Sequence, residues 1–273
     1  MLIALYYMVD REGGADGGFG EIDADARARE RSVVVELWQA LDGVLDPELD
    51  HSIVRLGFVE AVTVEGSCAW VTLRLPTFWC APNFVFMMVE DIRRALLQVE
   101  GIQAVQIRLL DHFASEAIES AVQNGRSFEE AFPGEVTGSL DELRAFFRRK
   151  SYLGRQFALL NALRAAGFSP QEICALRLAD LSESGGTWHV RRADGVWVSL
   201  EPGEAIRRYL ERRRELGLDM RPDAPLMLDA DGHPIPLESF NDYLCRSRAA
   251  LLNFKSNAFL CQALLASRKG GAP

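Results

Sequence analysis

Residues 58–75 read Phe58-Val59-Glu60-Ala61-Val62-Thr63-Val64-Glu65-Gly66-Ser67-Cys68-Ala69-Trp70-Val71-Thr72-Leu73-Arg74-Leu75. In the second half, Ala69, Val71, Leu73 and Leu75 alternate with Trp70, Thr72 and Arg74, which is the period of a strand with one buried face. Glu65-Gly66-Ser67 separates it from the apolar run Phe58–Val64, so the two runs predict a hairpin. Downstream, a short loop, Pro76–Pro82, leads to Phe84, Met88, Ile92, Ala95, Leu96 and Val99 at helical spacing, ended by Gly101. Val105, Ile107 and Leu109 then alternate as a third strand. Upstream, Val34, Leu37, Trp38, Leu41 and Leu45 predict an amphipathic helix that stops at Asp46-Pro47, with Asp46–Gly57 as a loop. The order α-β-β-α-β over residues 31–113 predicts an α+β domain: a three-stranded sheet covered by two helices.

The remainder of the 273 residues is organised differently. Residues 1–30, with the Gly-rich run Gly13–Gly18, read as a flexible leader. Residues 114–150 read as a helical connector, broken at Phe132-Pro133-Gly134 and resumed with Ser139 capping Leu140–Arg149. Residues 151–273 read as a mainly α domain with one β-hairpin. Its helices are expected at Phe157–Ala166, Pro170–Leu176, Gly203–Leu216 and Leu237–Ser267, and its hairpin joins Thr187–Val190 to Val196–Leu200 through Asp194-Gly195.

Hydrophobic residues make up 48% and charged residues 25% of the chain, which excludes wholesale disorder. Residues 1–118 hold 9 basic and 19 acidic side chains, and residues 119–273 hold 21 and 20. The front half therefore repels nucleic acid, which is not expected as a partner. The arginines Arg207, Arg208, Arg212, Arg213 and Arg214 are interleaved with acids and read as a solvated helix face. Met1–Val9 is apolar but lacks a basic flank and is too short to span a bilayer, so a cytoplasmic chain without a membrane segment is expected.

The five cysteines, Cys68, Cys80, Cys174, Cys245 and Cys261, are scattered and form neither a disulfide framework nor a zinc module. Cys80 is the one placed for chemistry. It precedes a helix start, where unpaired N–H groups favour an anion and make a thiolate available as ligand or nucleophile. Asp46 and Glu48 supply hard oxygen ligands from the loop after the first helix. His112, at the end of the third strand, is a further candidate ligand, whereas His51, His189 and His233 show no ligand spacing.

Three elements in this order, Asp46-Pro47-Glu48-Leu49, Ile53-Val54-Arg55-Leu56-Gly57 and Thr77-Phe78-Trp79-Cys80, resemble the PaaD/SufT-like metal–sulfur cluster assembly family over residues 32–113. The resemblance implies a maturation factor that delivers or assembles iron–sulfur or iron centres in client enzymes, with Cys80 matching the family's loop cysteine. Ala81 stands between Cys80 and Pro82, where the family usually has proline directly after the cysteine. One cysteine cannot hold a cluster, which usually takes four ligands. The site is therefore shared, transient, or completed by a homodimer or client. Leu75–Phe84 also looks like the assembly proteins that accompany propane monooxygenase, which implies a carboxylate-bridged di-iron hydroxylase as client and Phe78 and Trp79 as client contacts.

Ala166–Leu181 and Asp231–Ile235 resemble the catalytic domain of tyrosine recombinases. Its chemistry is missing: Ser169 occupies the place of the first catalytic arginine, His189 and Arg192 lie in the hairpin, and Tyr243 falls too early. Phosphodiester cleavage needs cations around the phosphate and a tyrosine nucleophile.

The resulting expectation is a non-enzymatic accessory protein for a client metalloenzyme. Its cofactor is transient iron or an iron–sulfur cluster without a nucleotide, and its metal-site candidates are Cys80, Asp46, Glu48 and His112. The alternative is a DNA-binding or regulatory protein built on the recombinase-like half.

Overall fold

The computed structural model describes residues 24–134 and 139–270. These form two compact units. One contains residues 24–46, 51–134 and 261–270, and the other contains residues 47–50 and 139–260.

The first unit begins with α1 (Ala24–Asp42), followed by the two-residue strands β1 (Leu45–Asp46) and β2 (His51–Ser52), which pair antiparallel. Next come β3 (Val59–Glu65), β4 (Cys68–Arg74), α2 (Pro82–Leu96), β5 (Ala104–Leu110), α3 (Ser115–Gln123) and α4 (Phe128–Ala131). The sheet order is β3-β4-β5, with β3 antiparallel to β4 and β4 parallel to β5. Ala69, Val71 and Leu73 of β4 are buried, as are Val105 and Leu109 of β5. They share the unit's core with Val85, Phe86, Val89 and Ile92 of α2 and with Leu37 and Leu41 of α1. The alternation read in β4 is thus its burial pattern, while Trp70 lies on its exposed side.

Two boundaries differ from the sequence expectation. Helix α1 begins at Ala24, inside the stretch read as leader to residue 30; residues 1–23 of that leader lie outside the described residues. It also ends at Asp42, because Gly43 and Val44 turn back onto Ala40 and Leu41 through backbone hydrogen bonds before the proline is reached. The stretch Asp46–Gly57, expected as a loop, contributes β2 and the end of the β1–β2 ladder. Asp42 fastens that ladder: its carboxylate accepts from Ser52 Oγ at 2.6 Å and from two nitrogens of Arg55 at 3.0 and 3.1 Å.

In the second unit, α5 (Leu140–Ala165) leads to α6 (Pro170–Ala175), then to β6 (Leu181–Ser184), β7 (Thr187–Arg191), β8 (Trp197–Leu200), α7 (Glu204–Glu215) and α8 (Phe240–Gly270), whose last residues belong to the first unit. Helix α5 is continuous for 26 residues, so the connector boundary at residue 150 and the separate helices Leu140–Arg149 and Phe157–Ala166 are corrected to one element. Ser139 starts it as expected, with a capping box to Glu142. The apolar period was broken by Ser151, Arg155 and Gln156, which are buried on this helix. Each has partners: Ser151 donates to the Arg148 carbonyl, and Gln156 donates to the Leu228 carbonyl and accepts from Tyr243.

The single hairpin expected here is a three-stranded antiparallel sheet, β6-β7-β8. The missed turn is Gly185-Gly186, with φ of +59° and +77°, the left-handed pair that a two-residue hairpin turn requires. The core of this unit gathers Tyr152, Leu159, Leu163, Ile173, Val190, Ile206, Tyr209 and Leu226 around α5 and α7.

Arg155 also serves Asp50, a residue the sequence did not single out. The Arg155 guanidinium donates in parallel to both Asp50 oxygens at 2.8 Å. Arg212 adds a bond at 2.9 Å, and Arg208 donates to the Asp50 carbonyl at 2.7 Å. Burial opposes ionisation of Asp50, but the three guanidinium groups outweigh it and hold its pKa below the usual carboxylate value. Asp50, Arg155 and Arg212 are all buried, so the arginine run is partly internal and not simply a solvated face.

Candidate functional site

Because β4 and β5 run parallel, the loops that leave them emerge at the same end of the sheet. The first loop, residues 75–81, carries Cys80 to the start of α2. The second, residues 111–114, connects β5 to α3. They are joined through main-chain carbonyls. Phe113 N–H donates to the Phe78 carbonyl at 3.3 Å, and His112 Nε2 donates to the Cys80 carbonyl at 2.8 Å.

Cys80 is half-buried, and its Sγ lies 3.4 Å from Thr77 Oγ1. Helix α2 starts at Pro82, with Ala81 as an N-cap residue that supplies no side-chain hydrogen bond. Proline suits that first position because its fixed φ is already helical, and it also deletes one of the free N–H groups that a helix start offers an anion. The thiol therefore has the hydroxyl of Thr77 as its polar neighbour.

His112 is buried, 4% exposed. Its Nδ1 accepts from the Ala114 N–H at 3.3 Å, which leaves Nε2 to carry the proton given to Cys80. Burial lowers its pKa below 6.5, and the nearby charge of Arg268 works in the same direction. With both nitrogens engaged, the neutral ring braces the Cys80 loop and presents no lone pair to a metal.

The turn before it is held on the other side. Asp111 has a left-handed backbone, φ +50°, uncommon for a residue other than glycine, and its carboxylate pairs with Arg74. Arg268 donates to the Leu75 carbonyl at 2.7 Å and to the Asp111 carbonyl at 3.3 Å, so one guanidinium spans the roots of both loops.

Above these roots stands an aromatic cap. Phe78 and Trp79 meet edge to face with ring centroids 4.8 Å apart, and each lies 6.1 Å from Phe113. All three are exposed, Trp79 to 75%. Phe113 was not marked in the sequence because its neighbours in space are fixed only by the parallel pairing of β4 with β5.

Asp46 is buried on β1, and Glu48 is half-buried in the 47–50 segment of the second unit. Among the described residues no group of three or more His, Cys, Asp or Glu side chains is gathered closely enough to hold a metal ion. Cys80, Asp46 and His112, which share the first unit, form no such group. What the geometry offers is one presented thiol on a braced loop, beside three exposed rings. Among the described residues no helix is long and apolar enough to cross a membrane.

Residues 35–109 match the family model described as iron–sulfur cluster assembly protein. Cys80 lies within the match, and His112 and Phe113 lie just beyond it. Over 71 residues the chain is 41% identical to the iron–sulfur cluster carrier protein of Deinococcus radiodurans, a stretch that makes up 26% of this chain. The chain spans 20% of the length of that curated relative. The crystal structure of a domain of unknown function, DUF59, from Bacillus anthracis aligns at 26% identity over 31% of this chain and 79% of that one, with a TM-score of 0.29.

Proposed function

We propose, taking residues 35–109 as an iron–sulfur cluster assembly module, that this protein receives iron or an iron–sulfur cluster as cargo and passes it to a client metalloenzyme. The observation that carries the reading is the presentation of Cys80: a half-buried thiol inside the matched span, on a loop whose main chain is held by His112. The cargo is the substrate, and the chain's contribution is one thiolate ligand. Such clusters usually take four ligands, so the remaining positions are filled by a second copy or by the client. Weak, shared ligation suits a carrier, because cargo that is fully enclosed does not leave.

The client is a carboxylate-bridged di-iron hydrocarbon monooxygenase on this reading. The support is the likeness of Leu75–Phe84 to the proteins that accompany propane monooxygenase. Phe78, Trp79 and Phe113 then form the client-facing surface, since exposed aromatic rings are the residues most enriched at protein contacts. The second unit, recombinase-like but without its catalytic set, holds the client and acts on no phosphodiester. The protein works in the cytoplasm.

The test is anaerobic reconstitution of the full chain with ferrous iron and sulfide, read by visible absorbance and native mass, followed by transfer to an apo acceptor protein. Wild type takes up iron and releases it to the acceptor, whereas Cys80→Ser remains folded and does neither. Equal loading and transfer by Cys80→Ser would overturn the reading, and the native mass shows whether loaded protein contains one copy or two.

A further inference from the structure

Within the second unit, α8 is apolar on two opposite sides. Tyr243, Ser247, Phe254 and Ala258 are buried along one side, with Tyr243 in the unit's core and Phe254 against Gly154 of α5. On the other side, Cys245, Ala249, Leu252, Ser256 and Phe259 are all exposed, at successive spacings of four, three, four and three residues. Leu252 is 51% exposed, Phe259 70% and its neighbour Leu260 57%. Isolated exposed apolar residues are ordinary, but a row at heptad spacing is the seam of a helix–helix contact.

The charges beside this row indicate what covers it. Arg248 and Lys255 flank it on one side, and Arg246 flanks it on the other, next to Asn253, whose side chain accepts from Lys150 Nζ at 2.9 Å. From Tyr243 to Leu260 there is no acidic residue at all, although the chain carries a net charge of −9. A second copy laid on the same row would bring only cations to those flanks. Like charges at these positions oppose pairing, and opposite charges select the partner.

We infer that Cys245–Leu260 of α8 is a docking face for an amphipathic helix of another protein, one with a leucine-type seam flanked by Glu or Asp. The small side chains Ala249 and Ser256 alternate along the row with the large Leu252 and Phe259, giving holes beside knobs. The row is narrow, one seam wide, with cations on both borders. This suits a partner helix better than the broad apolar face with which a helix lies in a lipid surface. The inference concerns a different element from Cys80 and holds whether or not the protein carries iron.

Two labelled synthetic helices of about four heptads, with Leu at the seam and either Glu or Lys at the flanking positions, test it on the full chain by fluorescence anisotropy. The Glu helix binds, weakening as salt is raised, and the Lys helix does not. Leu252→Asp with Phe259→Asp, both at exposed positions, weakens binding by at least about tenfold at unchanged melting temperature. Arg248→Glu with Lys255→Glu reverses the preference, so that the Lys helix binds. The inference is overturned if the Glu helix fails to bind or if both helices bind alike. It is equally overturned if wild type dimerises through this face, with the mass halved by the Asp pair. Sedimentation of wild type with anionic phosphatidylserine vesicles, without binding of either helix, gives the face to a membrane and also overturns it.

Discussion

His112 Nε2 lies 2.8 Å from the carbonyl oxygen of Cys80, thirty-two residues earlier in the chain, and donates its only proton there. The same ring accepts from Ala114 N–H, so protonation would set two donors against each other at Nδ1. Burial already holds the folded pKa below the ordinary 6.5. Between the folded value and 6.5 the unfolded chain therefore binds more protons, and stability falls as pH falls through that window. The expected outcome is a lower amide protection factor in residues 77–81 and 111–114 at pH 5.5 than at pH 7.5, once the slower intrinsic exchange at the lower pH is divided out. His112→Ala abolishes this pH response and lowers stability by about 1–3 kcal/mol at neutral pH, as for one buried hydrogen-bond partner lost.

Asp50 gives a second prediction, of opposite chemical type. Asp50→Asn leaves Arg155 and Arg212 buried with no carboxylate between them. Removing one member of such a buried group costs roughly 3–5 kcal/mol, read as a lower urea midpoint. Because the folded pKa of Asp50 is depressed below its ordinary 3.8, the contribution of its ionised form is complete above that value and is lost as pH falls through the folded pKa. Wild type and Asp50→Asn therefore differ fully at neutral pH and converge only in strong acid.

Gly154 sits in the middle of α5, where glycine usually weakens a helix by about 1 kcal/mol relative to alanine. Its presence has a packing reason: a Cβ there would lie 3.3 Å from the Phe254 ring and 3.6 Å from the Leu251 Cα. Gly154→Val forces these apart and lowers stability by about 1–3 kcal/mol. Thermal denaturation measures it, and an unchanged or raised midpoint would show that the two helices yield without loss.

Trp79 is the most exposed of the three capping rings. Trp79→Ser changes stability by no more than about 0.5 kcal/mol, the usual range for surface positions away from special features. On the carrier reading it leaves iron loading intact and slows delivery to the acceptor. A large drop in melting temperature would instead make the ring part of the packing.

The sheet, its hairpin and the placement of Cys80 before a helix were legible because alternation and helical spacing are local patterns. Less was visible wherever burial and polarity disagree. Ser151, Arg155 and Gln156 interrupt the apolar period of α5 yet lie inside, Ser151 satisfied by the Arg148 carbonyl one turn back and the other two by partners distant in sequence. Asp50 lacked any local mark, since its three arginines come from two helices far along the chain. The place of His112 after the third strand is legible, whereas its contact with the Cys80 loop is not. Its task follows from a parallel strand pairing that brings residues 80 and 112 together, and no spacing in the chain announces that. The Gly185-Gly186 turn is a local signal, as are the Ser-x-x-Glu caps at Ser127 and Ser169.

The parallel run of β4 and β5 also polarises their sheet. At one end are the thiol, the imidazole and the three rings. At the other, a span of about 23 Å away for seven-residue strands, is the Gly66-Ser67 turn, where Gly66 has open space around it. A dye or affinity handle attached at Ser67 thus rides on the same rigid ladder while standing clear of the working edge. Signals from such a reporter would follow the integrity of the scaffold and leave the chemistry undisturbed.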